Sequence, residues 1–242
     1  LTLPTDLESV IHLAGESVVG SRWNDKVKEQ ILSSRTISTE NLVNSLPKSV
    51  KHFISSSATG FYGDQGNSEL NESAHSGNDF LSEVCRQWES AALKAETPDR
   101  KVAIVRTGVV YAKEGGALKK MFLPFKAGLG GSLGSGQQWT GWIHIDDIVR
   151  VYTFILEEKL AGIFNGVAPH PVTNKVFTKT LAKTLGRTVG PPVPELALKI
   201  IFGEVSEVML ASQKVVPAHL EKAKFKFFFP DLPAALKDIY NI

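Results

Sequence analysis

In His52-Phe53-Ile54-Ser55-Ser56-Ser57-Ala58-Thr59-Gly60-Phe61-Tyr62-Gly63-Asp64 an apolar run stops in three serines. It then enters a loop that carries Thr59, Tyr62, Asp64 and two glycines. A buried strand that ends in hydroxyls delivers them to the carboxyl edge of a sheet, and ligands bind along that edge in open α/β folds. An ordinary strand followed by a serine-rich turn is the plain alternative for this stretch alone.

The neighbouring segments place the strand in a parallel sheet. Upstream, Val10, Ile11, Leu13 and Ala14 form a short apolar run ended by Gly15, which suits a strand covered on both faces. Between the two strands, Val27, Ile31, Ile37 and Leu42 recur at helical intervals until Pro47. Strand, long helix and strand make a right-handed βαβ unit. Downstream, Asn78-Asp79 caps a helix whose stripe is Phe80, Val84, Trp88, Ala91 and Ala95. Lys101 to Tyr111 then reads as a third strand, again running into small residues at Thr107 and Gly108.

From Gly115 to Gly141 the texture changes, with eight of the chain's 20 glycines. Gly128 to Gly136 is expected to be a loop whose backbone goes where side chains would obstruct it. A flexible linker is the bland reading, but Phe122, Phe125, Trp139 and Trp142 flank the run, and linkers rarely carry such anchors. No Gly-Lys-Ser/Thr follows, so this is not a Walker loop. Trp142 to Asp147 reads as a strand entering a helix over 148–158, capped by Asp146 or Asp147. His144 between two isoleucines reads first as a half-buried structural group, with catalysis as the rival. Gly162 to Val167 is a further strand, and Val172-Thr173-Asn174 opens a helix that Gly186 caps. After Pro191, Pro192 and Pro194, two helices are expected near 195–202 and 204–212. An aromatic strand through Phe225, Phe227, Phe228 and Phe229 and a last helix after Asp231 follow. The expected divisions are 1–112, 113–190 and a small lobe at 191–242.

Composition excludes several classes. At 242 residues and a formal charge of +2, no bulk field argues for nucleic acid or an anionic membrane. No uncharged apolar run is long enough to cross a bilayer. A single cysteine, Cys85, allows no internal disulfide and fits a reducing, cytoplasmic setting.

The Ser55 to Asp64 segment, the strand Val10 to Gly15 and Trp142-Ile143-His144-Ile145-Asp146-Asp147 resemble the corresponding segments of extended short-chain dehydrogenase/reductases. A closer resemblance is to one atypical branch, the epimerase-like family that includes the bacterial protein long mislabelled as a cell-division inhibitor. It rests on Leu13 to Glu16, the helix with Cys85-Arg86-Gln87-Trp88-Glu89, Arg106 to Val110, Leu123 to Gly131 and Gly134 to Trp139. The tail from Pro192 to Ile239 resembles that family's small C-terminal domain of unknown function. The match covers essentially the whole chain.

What the resemblance implies is a Rossmann-type α/β fold with a small C-terminal α+β lobe, binding NADP or NAD and an unknown small molecule. Leu13, Ala14, Gly15, Ser55, Ser56, Thr107, Gly108 and Val109 would line one half of the cofactor groove. Ser57 would hydrogen-bond the reacting oxygen, and Tyr62 is the nearest candidate proton donor, with a loop phenol packed on the sheet edge as its alternative. The glycine loop, Trp139 and Arg150 would face substrate. No metal is implied.

Two departures qualify these expectations. Extended members carry Tyr-x-x-x-Lys on the catalytic helix; aligning Glu89 with their helix glutamate puts Leu81 and Cys85 at those positions. Leu cannot transfer a proton, and a neutral Cys is no substitute for a fixed cation. The family's opening Gly-x-x-Gly-x-x-Gly turn has no counterpart before Leu7. The sequence is therefore expected to be N-terminally incomplete, or to have its sheet edge covered by edge-strand pairing or a homodimer. Three classes stay open: an oxidoreductase or epimerase with an unusual acid/base group, a non-catalytic NADP-binding or sensor protein, and a cofactor-incompetent fragment.

Overall fold

A computed structural model describes residues 2–241. The chain opens with β1 (Ser9–His12), α1 (Asp25–Asn44), β2 (His52–Ala58), a single 3-10 turn (Thr59–Tyr62) and β3 (Glu69–Leu70). It continues through α2 (Phe80–Leu93), β4 (Lys101–Thr107), β5 (Val109–Tyr111), α3 (Gly116–Lys126), β6 (Trp139–Thr140), β7 (Trp142–His144) and α4 (Ile145–Glu157). Next come β8 (Gly162–Gly166), β9 (Val172–Thr173), α5 (Asn174–Thr184), α6 (Glu195–Phe202), α7 (Val205–Leu210), β10 (Lys214–Val215), α8 (Ala218–Lys222) and α9 (Leu232–Tyr240).

The main sheet is parallel throughout, in the order β1-β2-β4-β8. Its carboxyl ends share one rim, where Ala58 pairs with Thr107 and Thr107 with Gly166. Side chains alternate between the two faces of a strand, and here both faces are covered. Phe53, Val102 and Ile104 pack under Ala92 and Ala95 of the α2 region, with Leu42 of α1 alongside. Ile54, Ala103 and Val105 pack against Ile148, Val151, Tyr152 and Ile155 of α4. This alternation sends Ser57 toward α2 and Ser56 toward α4.

The stretch expected as one strand from Lys101 to Tyr111 is two. The chain breaks at Gly108, whose N–H donates to Gly166 O, and Val109 N–H donates to Gly141 O. A Cβ at Gly108 would lie 2.6 Å from Gly141 O, so only glycine lets these backbones meet. β5 then pairs with β7, outside the main sheet. The segment before the glycine run is also more ordered than expected. Gly116–Lys126 is a helix with Leu118 and Phe125 buried, and the loop proper begins at Gly128.

That loop forms a seam with the proline-rich entry to the tail. Gly190 N–H donates to Gly130 O, Val193 N–H to Ser132 O and Gly134 N–H to Val193 O. A Cβ at Gly131 would fall 1.8 Å from Pro191 O, which explains the glycine there. The tail shares the body's packing. Leu232, Ala235, Leu236 and Ile239 of α9 form one cluster with Trp142, Phe177 and Leu181. Its aromatic stretch is not a strand. Asp147 accepts from Phe228 N–H and Phe229 N–H, each at 2.8 Å, so a carboxylate takes the place of a neighbouring strand. The one strand of the tail among the described residues, β10, pairs parallel with β3, and α8 joins the helices expected there, so the lobe is mostly helical.

Candidate functional site

The rim carries the hydroxyls. Past β1, Leu13, Ala14 and Gly15 are exposed. Ser55 is buried and its Oγ donates to Ser56 O at 3.1 Å, and half-buried Ser56 donates to Ser57 O at 3.2 Å. Thr107, also half-buried, lies with its Oγ1 3.4 Å from the hydroxyl of Tyr152, and Val109 stands exposed beyond it. Ser55, in the middle of β2, is level with His12 at the end of β1, and Ser56 follows it; Thr107, Gly108 and Val109 mark the junction of β4 and β5, and Leu13 to Gly15 follow the end of β1.

Beneath that rim lies a closed polar network. Ser57 Oγ donates to Glu89 Oε1 at 2.7 Å. Arg106 grips the same carboxylate with two bonds, Nε to Oε1 and Nη2 to Oε2, both 2.9 Å. Arg106 Nη1 donates to the Tyr62 hydroxyl at 3.0 Å, which donates to Asn165 Oδ1 at 2.7 Å. Asn165 N–H in turn donates to Glu72 Oε1, and His219 N–H from the tail reaches the same oxygen. Ser57, Tyr62, Glu72, Glu89, Arg106 and Asn165 are all buried. A fork-to-fork guanidinium–carboxylate pair is the geometry that best offsets desolvation of both charges. Burial works against the Arg106 charge, yet its bonds and field from Glu89 outweigh that and hold its pKa above the ordinary value.

The surroundings of Tyr62, Arg150 and Trp139 revise three expectations. Tyr62 was the nearest candidate proton donor, but its side chain is 0% exposed and its hydroxyl is enclosed between Arg106 and Asn165. Burial raises its pKa, with Arg106 opposing, so the phenol keeps its proton and spends it on Asn165. The 3-10 turn folds it inward. Arg150 was expected to face substrate. Its guanidinium instead donates to Asp147 and Lys226 O and lies 3.4 Å over the Phe228 ring, clamping the tail. Trp139 is half-buried, with its indole N–H on Asn67 Oδ1 and Lys214 over its ring, so it ties the β3 loop to the tail. Ser57 keeps its place below the rim, but its proton is committed to Glu89, leaving its oxygen lone pairs as acceptors.

Glu89 and Arg106 entered the sequence reasoning only as marks of resemblance and register, without a role in the site. The available signal was an arginine directly after the apolar run Val102 to Val105 in one strand, which demands a buried partner. The position aligned with a fixed cation is different in kind. Cys85 is buried, its thiol pushed up to about 12 by burial and by the field of Glu89, and it stays neutral.

His144 answers the question raised by its sequence. It is buried, and its Nδ1 accepts from Asp146 N–H at 3.1 Å, so the histidine caps α4 in place of either aspartate. With Asp146 and Asp238 it makes a cluster of metal-ligating residue types. Its Nε2 lies 3.4 Å from Asp238 Oδ2.

Residues 3–165 match the model of the NAD dependent epimerase/dehydratase family, and residues 193–239 match a domain of unknown function, DUF1731. The chain is 39% identical over 237 residues to the epimerase family protein SDR39U1 homolog, chloroplastic, of Arabidopsis thaliana, covering 96% of this chain and 68% of that one. It superposes on the human epimerase family protein SDR39U1, isoform 2, a structure with NADPH. The TM-score is 0.93 at 34% identity, covering 99% of this chain and 83% of that one. The UDP-N-acetylglucosamine 4-epimerase of Bacillus cereus shares the fold, with a TM-score of 0.76 at 15% identity, over 98% and 79% of the two chains. Among the described residues no helix is long and apolar enough to cross a membrane.

Proposed function

The chain belongs to the NAD dependent epimerase/dehydratase family, and from that premise we propose that it binds NADPH along the carboxyl rim and acts on a small hydroxyl-bearing molecule. The observation that carries the reading is the Ser57 hydroxyl, buried under the rim with its proton held by the Glu89–Arg106 pair. The half-buried hydroxyls of Ser56 and Thr107 and the exposed Leu13-Ala14-Gly15 turn fit one flank of a dinucleotide. When bound, the dinucleotide supplies the hydride chemistry. Ser57 accepts a hydrogen bond from the substrate hydroxyl, and Glu89 with Arg106 fixes its direction. The single buried thiol suits a reducing compartment such as the cytoplasm.

A second reading, a non-catalytic NADPH-binding protein, has its own support. Leu81 has no ionisable proton, the Cys85 thiol is neutral and Tyr62 is enclosed, so among the described residues no phenol–ammonium pair stands at the rim. Fluorescence titration with NADPH tests binding, and its absence removes both readings. A panel of alcohols and sugars with NADP, followed by the nicotinamide absorbance, separates them. Turnover lost in Ser57→Ala supports the enzyme, turnover unchanged in Ser57→Ala removes that assignment, and no turnover with retained binding favours the second reading.

A further inference from the structure

The helix α6 is tied to both flanks of the rim. At its amino end it meets the glycine loop: Gly134 N–H donates to Val193 O, and a Cβ at Gly134 would lie 2.8 Å from Glu195 Cγ. At its carboxyl end Arg22, in the loop that leaves β1, donates to Ile200 O, and Lys28 of α1 pairs with Glu204. The loop after β1 leaves one edge of the sheet. The glycine loop leads to β7, which pairs with β5 past the end of β4. The helix therefore bridges the two flanks, with the ends of β2 and β4 between them.

A bridge over a polar ligand would be expected to carry polar side chains. This one reads Glu-Leu-Ala-Leu-Lys-Ile-Ile-Phe, with Leu198 buried. Leu196 is 70% exposed, Ile200 65%, Ile201 59% and Phe202 38%. At about 100° per residue these four spread round the helix instead of along one stripe, so the side turned to the rim is apolar. A helix apolar all round is ordinarily buried. The rim answers in kind: Leu81, at the position aligned with the family's tyrosine, is half-buried beside Gly60, where a Cβ would come within 3.4 Å of its own. The cation expected to face substrate, Arg150, is spent on Asp147 and Lys226 O.

We propose that the substrate is an apolar alcohol or carbonyl compound, its alkyl or aryl body lying between α6 and the rim while its oxygen meets Ser57. The proposal rests on the reading that the chain binds NADPH along the rim and acts on a small hydroxyl-bearing molecule. The exposed leucine and isoleucines gain from covering such a body, and a charged sugar nucleotide would strand its phosphates against them.

The test is calorimetry on the whole chain loaded with NADP, which has no hydride to give, so binding is read alone. The probes are methyl ketones of four to ten carbons, with UDP-glucose as the polar comparison. NADPH binding is followed separately by fluorescence. Each added methylene is expected to tighten ketone binding about threefold to fourfold. A chain with Leu196→Gln, Ile200→Gln and Ile201→Gln is expected to lose about tenfold or more on the ten-carbon ketone, and to hold NADPH and the four-carbon ketone as wild type does. These side chains are exposed, so the fold loses little packing; should the triple variant melt early, Ile200→Gln alone is read, with a loss of about threefold or more. NADPH bound but a flat ketone series overturns the proposal, and so does UDP-glucose held more tightly than the ten-carbon ketone. An equal series in wild type and variant overturns it as well. A wild-type dimer that the variant breaks, or binding to neutral lipid vesicles that the variant loses, together with a flat series, gives the helix to a second copy or a bilayer instead. If wild type binds neither NADPH nor NADP, the cofactor reading itself fails and takes the proposal with it.

Discussion

Arg106 and Glu89 sit 17 residues apart, on a strand and on a helix, and meet in a buried layer. Removing one partner leaves a buried charge alone, which costs roughly 3–5 kcal/mol, whereas replacing both with apolar groups is far milder. Arg106→Met is therefore expected to lower the urea midpoint sharply, and Arg106→Met with Glu89→Leu to recover much of it. A single substitution within about 1 kcal/mol of wild type would contradict the closed network. Cys85 makes a separate prediction. An unfolded thiol ionises from its ordinary value of 9.0, while the native one holds its proton to about 12. Above pH 9 the native state thus binds the extra proton, and stability falls as pH rises through that window, by about 1.4 kcal/mol per unit at most. The difference between wild type and Cys85→Ala in denaturant midpoints, followed from pH 8 upward, isolates this slope. A difference that does not change above pH 9 would refute it.

At the scale of elements, the regular pieces were legible because their periods are. The apolar runs of β2 and β4 and the stripe of α2 announce strand and helix, and Asp79 caps α2 as read, accepting from Ser82 N–H. What the pattern could not carry was anything decided by a partner distant in sequence. Tyr62 reads as a loop phenol until the 3-10 turn swings it under Asn165, 103 residues away. Arg150 reads as a ligand contact until Phe228 covers it. The phenylalanines read as a strand, but the tail passes over α4 and Asp147 meets their amides. The cap of α4 shows the same limit, since two aspartates follow His144 and only the geometry picks the histidine. Because that cap is one Nδ1 bond, His144→Ala is expected to cost about 1–2 kcal/mol, and His144→Asn, which restores an acceptor, to recover part of it. Chemical denaturation of the two variants decides the matter, with equal losses pointing to packing on Phe229 as the whole effect.

Across the whole molecule, body and tail are joined at many places. The glycine loop pairs with Gly190 and Val193, Glu72 binds His219 N–H, and α9 completes the cluster around Trp142 and Phe177. Asp147 adds a further tie, buried on α4 with two amides from the tail and Arg150 beside it. These ties cross between segments far apart in sequence, so partial release of the tail would uncover Trp142, Leu181 and Leu236, each fully buried. Exposing three such side chains costs several kcal/mol, at about 1.5–3 kcal/mol each. The tail is therefore expected to unfold together with the body, and circular dichroism and tryptophan fluorescence should trace one coincident urea transition. Asp147→Ala tests the coupling. It strands two amide groups and the Arg150 charge, so it should move both probes to lower urea together. If fluorescence shifted while the backbone signal held, the tail would be an independent unit, and the path from Glu72 through Asn165 to Arg106 and Ser57 would not link it to the rim.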